Sequence, residues 1–162
     1  MKISIKKWRS YIQNTLDDNK TTLKTRQELI NYIKNNPEVN KTINLDNPKG
    51  STKKFTGKIS KILPFDYGEW PNLINPSDNM GWDLIIMPNS SKNDENLTPV
   101  GHIEYNKEKK SKFGNDKVIL ASNFSYSDEN KKIIDDFFAK LPQFDDVTSV
   151  SYTHLRAHET DS

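Results

Sequence analysis

From about residue 42 the chain breaks into short β-like runs divided by clusters of Pro, Gly and Asn, and this pattern constrains the fold more than any other feature. The runs are Thr42–Leu45, Lys54–Leu63, Trp82–Met87, Pro99–Tyr105 and Lys117–Ala121. Residues 89–96 and 106–115 are polar and read as exposed loops. Helical patterns flank the strands. In residues 4–17, Ile5, Trp8, Tyr11, Ile12 and Leu16 recur at helical spacing, and residues 22–36 predict a second helix. Thr25 with Glu28 makes a capping-box pattern for that helix, and Pro37 closes it. A last helix opens at Ser127, carries Asp128 and Glu129 in its first turn, aligns Ile133, Ile134, Phe137, Phe138 and Leu141, and stops at Pro142. Helices, then strands, then a helix predict an α+β fold around a small antiparallel sheet or barrel.

Composition narrows the chemistry. There are 0 Cys, which excludes disulfides, thiolate zinc sites and cysteine nucleophiles. Lys+Arg 24 against Asp+Glu 22 is near balance and argues against a dedicated nucleic-acid partner. No apolar run is long enough to span a membrane, and the N-terminus has no apolar core of a secretory signal, so a soluble cytoplasmic protein is expected. Homo-oligomerisation stays open.

The stretch Val150–Thr160, VSYTHLRAHET, is identical to a translation of a transposase adapter used in preparing DNA libraries. Residues 149–162 are therefore expected to be an artefactual tail, to be set aside in fold reasoning. His154 and His158 go with it, leaving His102. The expected division is a helical extension over 1–41, a domain over 42–148 and the tail.

With no thiol and one His, catalysis would rest on carboxylates, Lys, Tyr or a hard metal ion. Carboxylates holding Mg²⁺, with Lys on phosphate oxygens, form the coherent chemistry of this alphabet. His102, on the run Val100–Tyr105, reads as a hydrogen-bonded structural residue. Trp82 reads as core, and Tyr67, before Gly68, fits a turn-stabilising role as well as a chemical one.

The order of the polar residues adds a resemblance. Asp46-Asn47-Pro48-Lys49-Gly50-Ser51, followed by Lys54-Phe55, resembles the opening motif of the soluble inorganic pyrophosphatases. Pro64-Phe65-Asp66-Tyr67-Gly68 resembles that family's Tyr-Pro-Xaa-Asn-Tyr-Gly. Asp78-Asn79-Met80-Gly81-Trp82-Asp83 is similar to its Asp-Gly-Asp-Xaa-Xaa-Asp, and Val100 through Glu108 resembles the next strand. Asn115-Asp116-Lys117 is similar to its Asp-Xaa-Lys, and residues 131–138 resemble its late helix. The likeness covers about residues 43–145.

The resemblance implies a twisted five-stranded, OB-like β-barrel with flanking helices. It also implies Mg²⁺-dependent hydrolysis of pyrophosphate to two phosphates. Carried over residue by residue, Asp46, Asp78, Asp83, Glu108 and Asp116 would hold metal, and Lys54 and Lys117 would bind phosphate. Tyr67 and Asp83 would be catalytic. The pattern departs from the family at Thr56, Met80, Lys107, Asn115 and Leu141-Pro142. Losing at least two carboxylates and gaining a Lys makes the site about three charges less negative. A catalytically inactive barrel that binds phosphate compounds or a protein is thus the alternative. A single-strand nucleic-acid binder ranks last.

Overall fold

The computed structural model describes residues 19–54, 60–105, 116–122, 127–140 and 147–152. Their elements are β1 (Thr21–Thr22), α1 (Arg26–Asn35), a 3₁₀ turn (Pro37–Thr42), β2 (Asn44–Asn47), β3 (Thr52–Lys54), β4 (Ser60–Ile62), β5 (Asp66–Asn75), β6 (Met80–Ile86), β7 (Leu97–Tyr105), β8 (Lys117–Ser122), α2 (Asp128–Ala139) and β9 (Val147–Ser151). The expected helix over 4–17 lies outside the described residues.

The chain is α+β. Its main sheet runs β1-β5-β6-β8-β7-β9, with β2 also paired to β5. β6 and β8 are parallel, whereas β5–β6, β7–β8 and β7–β9 are antiparallel. Among the described residues this sheet is an open path and does not close on itself.

Alternation along the strands builds a core on each face. On one face Trp70 and Trp82 sit opposite each other across β5–β6, with Leu84, Ile86, Val118 and Leu120 beside them. Leu29 and Ile33 of α1 cover that face. Both indoles are satisfied, Trp82 Nε1 donating to the Leu23 carbonyl at 3.0 Å and Trp70 Nε1 to Asn40 Oδ1 at 3.1 Å. On the other face Phe65, Ile85, Ile119 and Ala121 pack under Ile134 and Phe138 of α2. Among the described residues no helix is long and apolar enough to cross a membrane.

Helix starts follow the capping signals. Thr25 Oγ1 accepts from the Glu28 N–H at 3.1 Å, and Ser127 Oγ from the Asn130 N–H at 3.1 Å. Residues 22–25 are not helical, because Thr21–Thr22 add to β5 instead. The expected single run Lys54–Leu63 is part of a separate hairpin, in which Thr52, Lys53 and Lys54 pair with Ile62, Lys61 and Ser60. β5 was not expected. Pro71 and Gly68 disguise it, yet Pro71 is exposed, where a missing N–H costs little. β9 includes Val150 and Ser151 of the adapter-like stretch, laid along β7 by backbone pairing.

Candidate functional site

The site begins with a register. β5, β6 and β8 are adjacent, and pairing sets Glu69 opposite Asp83 and Asp83 opposite Lys117. Tyr67 lies two residues before Glu69, on the same face. These four residues form the polar end of the face whose other end is the apolar core under α2. Tyr67 is buried, and its hydroxyl donates to Asp83 Oδ2 at 3.2 Å. Lys117 Nζ lies 3.7 Å from the same oxygen. Lys53, from the β3–β4 hairpin, places its ammonium 4.6 Å from the centre of the Tyr67 ring, and Lys117 is 5.3 Å from it. The phenol thus sits between two cations and a carboxylate.

β2 completes the rim. Its close approach depends on Gly68, where an added Cβ would collide with the Asn44 carbonyl oxygen. Asp46, exposed on β2, accepts from Asn44 Nδ2 at 2.9 Å and acts electrostatically on Glu69. Burial, and then the charges of Asp46, Asp83 and Asp78, hold the Glu69 carboxyl above its ordinary value. Burial also raises Asp83, more than Lys117 and the Tyr67 hydrogen bond lower it. Lys117 goes down, because burial outweighs the stabilising charge of Asp83. Like charges facing across a ladder are unfavourable, so the Glu69–Asp83 pair is not explained by packing.

Among the residues expected from sequence, Tyr67, Asp83 and Lys117 are therefore brought together, with Asp46 at the edge. Asp78 belongs to the β5–β6 turn, where its Oδ1 accepts from the Met80 N–H at 3.0 Å. The preceding Asn75 carbonyl accepts from Asn79, which adopts a left-handed φ of 58°. Lys54 is exposed, and its neighbour Lys53 takes the position over Tyr67 instead. The Pro48-Lys49-Gly50-Ser51 motif forms a turn, in which Ser51 bonds back to the Pro48 carbonyl and Asp66 Oδ1 accepts from the Lys49 N–H at 2.6 Å. Glu108 lies outside the described residues.

Asp116 is not brought to this cluster. It is buried on the opposite face, its Oδ2 2.9 Å from Arg26 Nε. Arg26 Nη1 also contacts Glu104 Oε1 at 2.7 Å and lies against His102 Nε2. His102 Nε2 is 2.7 Å from Glu104 Oε1, and its Nδ1 is 2.5 Å from the Tyr152 hydroxyl. His102 is thus a buried, fully engaged histidine. Met80, where the resembled motif has an acid, is exposed.

The sequence offers Glu69 only as one of many carboxylates in the strand region, with no role assigned, and gives no sign of Lys53. Glu69 had a signal, its two-residue spacing from Tyr67, which becomes visible only once Asp66–Asn75 is read as a strand. Among the described residues no group of three carboxylates or imidazoles could hold a metal ion. No protein family, curated protein or solved structure gives a significant match to this chain.

Proposed function

We propose that the Tyr67–Asp83–Lys117 cluster, with Glu69 and Lys53, is the site of a divergent Mg²⁺-dependent hydrolase that splits diphosphate into two phosphates. The observation that carries this reading is the meeting of three side chains from three strands, each from a different pyrophosphatase-like motif. In that reading the open sheet corresponds to the family's barrel.

Charge supports a cation-dependent substrate. Asp46, Asp78 and Asp83 act on Glu69, and Asp78 also acts on Asp83, where Lys117 and Lys53 oppose it. A bare polyanion would meet net negative charge, so a divalent cation is needed between substrate and protein. Carboxylate oxygen is the donor Mg²⁺ prefers, and Mg²⁺ is commonly held by one or two carboxylates together with substrate phosphates. Asp83 and Glu69 would hold it. When bound, it supplies neutralisation of the substrate's charge and Lewis-acid activation. Lys117 would place a fixed cation on a phosphate oxygen, and Asp83 keeps that ammonium oriented. Tyr67 positions Asp83 through its hydroxyl. Lys53, on the separate hairpin, would bring a second cation to the same substrate.

Phosphate release from diphosphate in the presence of Mg²⁺ tests the reading. Activity that is lost in both Asp83→Ala and Lys117→Met supports it, and no release at high protein concentration ends the hydrolase reading. That no group of three carboxylates or imidazoles among the described residues could hold a metal ion favours a second reading, binding of phosphate compounds without turnover. Calorimetry with a non-hydrolysable diphosphate analogue, with and without Mg²⁺, decides that one: no heat in either condition removes it.

A further inference from the structure

The opposite face of the sheet carries a polar cluster that the proposed site does not use. We propose that Arg26, His102 and Glu104 form an acid-released latch, which holds the first turn of α1 against β7 when His102 is neutral and lets go when it is protonated.

The geometry sets the logic. Arg26 Nη1 lies against His102 Nε2. A guanidinium has only donors, so Nε2 can accept from it only while unprotonated. A proton on Nε2 turns the contact into two donors and two positive charges face to face. Glu104 Oε1 lies 2.7 Å from both groups, so a protonated Nε2 would donate a hydrogen bond to it in competition with Arg26. Arg26 would keep Asp116, 2.9 Å from its Nε.

Every neighbouring element contributes a defined group. α1 brings Arg26, β7 itself brings Glu104 and Asp116 precedes β8, while the Tyr152 hydroxyl at Nδ1 comes from the adapter-like stretch and is no part of the latch. In register, β8 and β9 set only Val118 and Val150 against His102. A cavity of about 230 Å³, lined by Thr25, Arg26, Gln27, Ile30, His102 and Tyr152, lies beside the contact. It gives the Arg26 head group somewhere to go, and water a way in. The rest of α1 is held by Leu29 and Ile33 in the apolar core, so release is confined to its first turn.

Burial, then the Arg26 charge, pushes the His102 imidazole below 6.5, while Glu104 pulls the other way. The closed latch therefore excludes a proton that the open form accepts. Latch stability is full above 6.5 and falls as pH drops from 6.5 towards the lower folded value.

Amide exchange at Glu28, Leu29 and Ile30 in the full-length chain, corrected for intrinsic rates between pH 7.5 and 5, reads the release. Protection should fall by up to about tenfold for each unit by which His102 lies below its free value. It should stay level in His102→Gln. The imidazole titration by NMR is a second readout that needs no variant at His102. Its midpoint should lie below 6.5 and move up in Arg26→Met, where the repelling cation is gone. A midpoint at or above 6.5, protection independent of pH, or a midpoint indifferent to Arg26→Met overturns the latch.

Discussion

Taking the Asp83–Lys117 pair apart one partner at a time measures how much the candidate site depends on its own charges. Lys117 is 5% exposed and Asp83 32%, with 3.7 Å between Nζ and Oδ2. At that distance an effective dielectric of about 20 gives an attraction of about 4.5 kcal/mol. A third of Asp83 faces water, and screening of such groups leaves roughly half, about 2 kcal/mol of coupling. The single variants should differ. Asp83→Asn removes the carboxylate charge beside an ammonium that is 5% exposed, at a cost of about 3 kcal/mol. Lys117→Met leaves a carboxylate that can still hydrate and still accepts from Tyr67, at a cost of about 1 kcal/mol. The double variant should then lose about 2 kcal/mol, less than Asp83→Asn alone. Urea unfolding at pH 7 of all four proteins closes the cycle. A coupling below about 0.5 kcal/mol, the size found for exposed pairs, would refute the claim that burial of Lys117 strengthens this pair beyond an exposed one.

Two further outcomes follow from the same geometry. In Asn40→Ala, the Trp70 indole N–H and the Leu97 carbonyl both lose their partner inside the core, which should cost about 2–4 kcal/mol in denaturant unfolding; a cost under about 1 kcal/mol would mean those groups find other partners. Glu69→Gln should stabilise the protein at pH 7 by about 0.5 kcal/mol, by removing a like charge opposite Asp83. The Glu69 carboxyl is raised in the folded chain, so its native state favours the proton, and stability is lost as pH rises from 4.5 through the folded value. The gain in Glu69→Gln should accordingly vanish near pH 4, and an equal gain at pH 4 and pH 7.5 would refute it.

Local chemistry was legible in the sequence wherever one signal acts over a few residues. Thr25 and Ser127 cap the helices they announce, and β6, β7 and β8 fall within a few residues of their apolar runs. What was not legible depends on partners distant in the chain. β5 reads poorly alone, with Gly68 and Pro71 inside it, but Gly68 is needed for β2 to approach, and Pro71 is exposed where the β5–β6 register shifts. Its strand character comes from β1, β2 and β6 pairing with it. Propensity along one segment cannot report that.

The misplacements in the site share one cause, the two-residue period of a strand. Asp116 and Lys117 are adjacent in sequence and belong to one motif-like run, Asn115-Asp116-Lys117. In the sheet, consecutive side chains go to opposite faces, so Lys117 reaches Asp83 while Asp116 turns to Arg26 beneath α1. Lys53 and Lys54 repeat the case on the hairpin, where Lys53 lies over Tyr67 and Lys54 is exposed. A motif read as a string treats neighbours as companions; a strand separates them and makes companions of residues two apart, as with Tyr67 and Glu69. The two polar centres thus meet at the start of β8, where Asp116 and Lys117 send adjacent side chains to opposite faces. Moving β8 by one residue against β6 would exchange the Asp116 and Lys117 positions, placing another carboxylate against Asp83 and Glu69 and a second cation against Arg26. Both centres oppose that slip, and register in this sheet is held by charge on each face as well as by the apolar cores.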